Sequence, residues 1–112
     1  MDLIADDMPN GATRVRLNGR LDIAGAGEIE TRFSALAGAK RALIVDLSGV
    51  EFIASMGIRM LLIGAKTVKA KGGRMVLLGA RPDVADVLKT ARIDAIVPLC
   101  ADLAAAAAAV EP

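Results

Sequence analysis

Residues 13–18 alternate, with Arg14 and Arg16 set around Val15 and Leu17, the period-two pattern of a strand with one face in water. Ahead of them Pro9-Asn10-Gly11 carries strong turn chemistry, and residues 3–5 form a short apolar run, so the pattern predicts an N-terminal hairpin. Two later runs do not alternate. Residues 42–47 and 75–78 are apolar at successive positions, which suits strands covered on both faces, as in a parallel sheet with helices over it. Between the strands the period becomes helical. Asp22 is placed to cap a helix that carries Ile29, Phe33 and Leu36 on one side and stops at Gly38. The longest helical pattern runs over 56–71 and ends at the turn Gly72-Gly73. Pro82 opens a further helix with Val84, Val87 and Leu88 in register, and Ile96-Val97 predicts a last short strand before Pro98. The alanines of 104–109, the best helix formers, predict a terminal helix packed through small side chains. This order predicts one α/β domain over residues 1–112, a mixed β-sheet with an N-terminal hairpin and flanking helices. Leu43, Ile44, Val45, Leu61, Leu62, Val76 and Leu77 are the expected core.

The helix over 56–71 has two apolar sides. At about 100° per residue, Ile58, Leu61, Leu62, Ala65 and Val68 face the sheet, whereas Met56, Met60, Ile63 and Thr67 fall on nearly the opposite side. Arg59 and Lys66 lie along one flank. Solvent alone does not select a second apolar ridge, so the ridge packs on a neighbouring helix or meets a partner, and methionine suits a partner surface. Ser55 stands where the strand-to-helix loop becomes the helix. A hydroxyl there can cap the first turn's amides. A phosphate there would be favoured by the helix dipole and would add about −1.5 to −2 charges to an apolar surface. Ser55 therefore reads either as a plain cap or as a switch that leaves its own fold intact.

Composition narrows the chemistry. The chain has 112 residues, 54% hydrophobic, with no His and one Cys. A chain of this size buries more than about 60% of its unfolded surface, enough for a core without metal or disulfide support. The lack of His removes the Ser-His-Asp and Cys-His nucleophile systems and the common zinc sites. The motif Gly25-Ala26-Gly27 lacks the third glycine of a dinucleotide fingerprint, and no Gly-Lys-Ser or Gly-Lys-Thr occurs. No enzymatic activity, catalytic residue, cofactor or metal is expected. Asp6-Asp7 with Asp46 resembles the acids of a phosphoacceptor receiver, but a turn and a strand follow the acid pair and no lysine follows the last strand. Fourteen Lys plus Arg against 13 Asp plus Glu leave no charge excess for nucleic acid or an anionic membrane, so a protein partner fits better. The N-terminus has no secretory pattern, and every apolar stretch is interrupted well before about 18 residues, so no membrane insertion and a cytoplasmic location are expected. The lone Cys100 suits a reducing compartment and reads as a small buried hydrophobe.

Residues 46–58, Asp-Leu-Ser-Gly-Val-Glu-Phe-Ile-Ala-Ser-Met-Gly-Ile, resemble the signature of STAS domains, specifically the stand-alone anti-sigma factor antagonists of bacteria. In those proteins an apolar strand leads into Asp-Leu-Ser, then Phe-Ile or Phe-Met, then Asp-Ser-Ser-Gly-Leu opening a helix. Gly19-Arg20-Leu21-Asp22 is similar to the family's Gly-Glu-Leu-Asp, and Lys71-Gly72-Gly73 before an apolar strand also matches. The resemblance places the family's phosphorylation site on Ser55, with two departures: the family's Asp before it is Ala54 and its second Ser is Met56. It implies a serine-kinase anti-sigma factor as partner, met by Asp22, Met56, Gly57, Arg59, Met60 and Ile63, with the free protein monomeric. Phosphorylation of Ser55 would then switch binding off. Relatives without phosphorylation serve in lipid-transport complexes and as cytoplasmic ends of anion transporters, so a non-phosphorylated adaptor subunit is the alternative.

Overall fold

The computed structural model describes residues 1–111. Its elements run β1 (Asp2–Asp7), β2 (Thr13–Leu21), α1 (Ile23–Ala39), β3 (Ala42–Ile53), α2 (Ser55–Ala70), β4 (Arg74–Leu78), α3 (Pro82–Thr90), a 3-10 turn (Ile93–Ala95), β5 (Leu99–Cys100) and α4 (Leu103–Ala109). They build one five-stranded sheet in the order β1-β2-β3-β4-β5. β1 joins β2 antiparallel through the predicted hairpin, and the other pairings are parallel, so the sheet is mixed as expected. The hairpin turn is closed by Met8 and Gly11 amides bonding to Ala12 O and Met8 O, with Gly11 at φ 87.

The non-alternating runs lie at the centre of the sheet. Val45 and Leu77 face α1, α2 and α3, with Ile29, Phe33, Leu61, Val68 and Leu88 in the same cluster. Ile44, Val76 and Leu78 face the other way, onto Ala106 and Val110 around α4. Small alanine side chains let that short helix lie close to the strands. Beyond it this face is polar: Asp46, 3% exposed, accepts from Arg14 Nη2 at 2.6 Å, from the Ser48 amide at 2.9 Å and from Ser48 Oγ at 2.7 Å. Burial disfavours the charged carboxylate, but the Ser48 amide, Arg14 and the Ser48 hydroxyl together outweigh it and hold Asp46 below the ordinary carboxylate range.

Three expectations need correction. Ile96-Val97 is not a strand: Arg92 turns left-handed at φ 60, and the amides of Ile96 and Val97 are spent on Ile93 O at 2.9 and 2.8 Å, so pairing starts only beyond Pro98. Val87 is 39% exposed, while Val84 and Leu88 are buried. Leu62 is half-buried, because the buried stripe of α2 is turned toward α1 and includes Gly57, Met60 and Gly64 beside Leu61, Ala65 and Val68. The cause is close helix packing: a Cβ on Gly64 would stand 2.5 Å from Phe33 Cε2. Leu43, Ile44, Val45, Leu61, Val76 and Leu77 are buried as predicted.

Candidate partner-binding site

β2 and β3 end side by side, with Arg20 paired to Phe52 and Leu21 to Ile53, and a helix springs from each strand end. The Ala54 amide donates to Leu21 O at 3.1 Å, tying the two departure points together. Asp22 caps α1, its Oδ1 accepting from the Gly25 amide at 2.8 Å, as the sequence predicts. That amide, with Arg20 Nε 3.5 Å from Oδ2, lowers the Asp22 carboxyl from its ordinary value. Gly57 is the third residue of α2, where a Cβ would come 2.6 Å from Leu21 O, so only glycine lets α2 start this close to β2. It is buried, and its packing on Leu21 sets where α2 starts.

Ser55 is the first residue of α2 and is exposed, but it is not the cap. Ala54, extended at φ −124 and ψ 178, holds the capping position, its carbonyl accepts from the Ile58 amide, and among the described residues no side chain caps this helix. The capping reading of Ser55 is thereby corrected. The first-turn amides of α2 have no intrahelical partners, and the serine stands among them with its hydroxyl free of any capping task.

The strand ends and helix starts at this end of the sheet expose more apolar surface than the sequence signalled. Met56 is 44% exposed, Phe52 41% and Ile23, the first residue of α1, 74%. The Arg20 guanidinium lies 4.4 Å from the centroid of the Phe52 ring, a stacked pair across the ends of β2 and β3. Neither Ile23 nor Phe52 was singled out from the pattern, although both carried a signal. Ile23 falls well off the arc of Ile29 and Phe33, and Phe52 alternates with the buried Ile53 at the end of β3. Arg59 is exposed on α2, and Ile63 is half-exposed further along it. Met60, expected on the same outer ridge, is 8% exposed and belongs to the core beside α1. The ridge is thus divided: Met60 packs on the neighbouring helix, and Met56 and Ile63 stay outside. Asp22, Ile23, Ser55 and Met56 thus stand at the two helix starts, with Arg20 and Phe52 on the strand ends that lead into them. Burial, and secondarily Asp102, push the Cys100 thiol above its usual value, the wrong direction for a reactive thiolate.

The STAS domain family matches residues 5–106, nearly the whole chain, and the chain belongs to that family. No curated protein matches it. Among solved structures it is similar to an anti-sigma factor antagonist from Mycobacterium paratuberculosis, at 27% identity and a TM-score of 0.86 over 97% of this chain and 92% of that one. A STAS domain anti-sigma-factor antagonist from Planctomyces limnophilus superposes at 0.84 with 25% identity, covering 96% and 95%. The fold is also that of the Bacillus protein SpoIIAA in its phosphorylated form, at 21% identity and a TM-score of 0.70 over 93% and 96% of the two chains. Among the described residues no helix is long and apolar enough to cross a membrane.

Proposed function

We propose that this chain is an anti-sigma factor antagonist. It binds an anti-sigma factor of the serine-kinase type through the rim around Ser55, thereby freeing a sigma factor, and is released when that kinase phosphorylates Ser55. The observation that carries this reading is the exposed serine at the start of α2, beside the exposed Met56, at the same end of the sheet as the exposed Ile23 and Phe52, and engaged in no cap. The kinase supplies ATP, so this chain acts as a binding partner without catalysis or cofactor of its own, monomeric when free and cytoplasmic. The apolar patch supplies affinity when the serine is neutral. A phosphoserine carries about −1.5 to −2 charges, which an apolar contact leaves unpaired. Similarity to antagonists of known structure supports the scheme.

A second reading is favoured by one residue. Ala54 stands where the family's acid precedes the phosphoacceptor, and without that acid the chain fits a STAS adaptor that is never phosphorylated. Incubation with the cognate kinase and ATP, followed by intact-mass measurement and peptide mapping, separates the two. The antagonist reading expects one added phosphate, on Ser55, and loss of the complex, with Ser55→Ala bound and resistant to release. No phosphate, or phosphate elsewhere only, makes the chain an adaptor.

A further inference from the structure

Besides the edge strand β1, the described residues leave most of the outer edge of β4 unpaired. Its inner edge is fully used: Arg74 lies opposite Ala42 and Leu78 opposite Asp46, and the Arg74 amide bonds to Arg41 O. On the outer edge β5 pairs only with Leu77 and Leu78, through Leu77 N to Pro98 O and Gly79 N to Cys100 O, both at 2.9 Å. Parallel pairing makes Met75 the next outward residue, and its carbonyl would be answered by the amide of residue 98. Residue 98 is proline and has no N–H. The Met75 amide would need Ile96 O, but the 3-10 turn carries that residue away, and Met75 has no such bond among the described residues. One donor and one acceptor of the main chain thus face outward, two residues from a strand pair that has already ended.

A groove of about 340 Å³ lies along this edge, between α2 and α4, with Met75, Ile96 and Pro98 in its walls. Ile96 is 49% exposed. Lys66, Lys69 and Arg74 also border it, each exposed and none in an ion pair among the described residues. Lys66 and Lys69 are three apart on α2 and so side by side. Three free cations over an apolar floor beside an unpaired strand edge define one kind of occupant. We infer that this edge takes up a short extended peptide segment with apolar residues flanked by acidic ones, which adds beside β4 as a strand. The main-chain groups of Met75 would fix its register, the floor would take an apolar side chain, and the lysines would select its charge. The site lies about 20 Å along α2 from Ser55 at 1.5 Å per residue, so it does not rest on the proposed function, and both segments could be bound at once.

The test uses the full chain, 15N-labelled and dilute, with two blocked peptides, Asp-Val-Ile-Val-Asp and Lys-Val-Ile-Val-Lys. In the free protein the Met75 amide should exchange with solvent faster than those of Arg74 and Val76. The acidic peptide should protect it and shift the Ile96 and Lys66 signals, binding about tenfold more tightly than the basic one. Pro98→Ala restores the missing amide, lets β5 close on Met75 O and should weaken peptide binding about tenfold. If that variant fails to fold, Lys66→Glu with Lys69→Glu serves instead, and should reverse the peptide preference. A Met75 amide as protected as its neighbours in the free protein overturns the inference. So does failure of the acidic peptide to bind, equal binding of both, or protection that appears only as protein concentration rises, which would make the occupant a second copy.

Discussion

The two ends of α2 are built on opposite terms. At its C-terminal end the amides of Lys71, Gly72 and Gly73 bond to the last carbonyls of the helix. Lys71 Nζ donates to Ala37 O and Lys40 O at 2.6 and 2.9 Å, fastening α2 to the end of α1. In the middle Gly64 and Phe33 lock the two helices together. At the N-terminal end no side chain among the described residues answers the first turn, and the large side chains there point outward. Loss of local stability in one turn is tolerable when the rest of the helix is so tied. The lesson is that stability and recognition sit on different turns of one helix, and that a substitution should move one or the other.

The largest effect should come from the locked region. Phe33→Ala empties the contact under Gly64 and should cost about 3–5 kcal/mol in chemical denaturation. A loss under about 1 kcal/mol would break the contrast, because the helix pair would then not depend on its tight crossing. Asp46→Asn should come next, at about 1.5–3 kcal/mol at neutral pH, since it weakens charge-assisted bonds to Arg14 and Ser48. Because folding lowers the Asp46 carboxyl, its contribution is fully present above the unfolded carboxylate value, about 3.9. It is lost as pH falls through the lower folded value. Melting curves from pH 7 downward should therefore converge for wild type and Asp46→Asn in acid.

Smaller shifts sharpen the comparison at the open end. Gly57→Ala should cost about 1–3 kcal/mol despite alanine's helix propensity, because the methyl group meets Leu21. Within that turn, only Gly57 and the half-buried Ile58, packed on the core, should respond in stability. Ile23→Ala and Met56→Ala should change stability by no more than about 0.5 kcal/mol, yet each should weaken binding to the kinase partner by more than about 1 kcal/mol in titration calorimetry. Equal losses in folding and binding at either position would show that the rim is ordinary core.

Much of this division was legible in the pattern of the chain. Two non-alternating strands announced a sheet covered on both faces, and Asp22 announced a helix start. What the pattern missed were matters of neighbours. Met60 and Ile63 are three residues apart and both fall on the outer side of an isolated helix, but α1 buries the former and leaves the latter half-exposed at its flank. Ser55 reads as a cap because serine favours that place. The turn from β3 is instead completed one residue earlier, with Ala54 tied to Leu21. The stacking of Arg20 on Phe52 across the strand pair is a contact that no local period contains. The strand expected at Ile96-Val97 was displaced by the local bonds to Ile93, which compete with the ladder for the same amides.

The most direct measurement is the comparison of wild type with Ser55→Asp in two assays on the same preparation, thermal melting and binding to the serine-kinase anti-sigma factor. A negative charge on the first residue of a helix is favoured by the dipole by about 0.3–1 kcal/mol, so the melting temperature should hold or rise slightly. Binding should fall by about tenfold or more, because the charge enters an apolar contact unpaired. Undiminished binding, or a fall in melting temperature that accompanies the loss of binding, would contradict the separation of recognition from stability along α2.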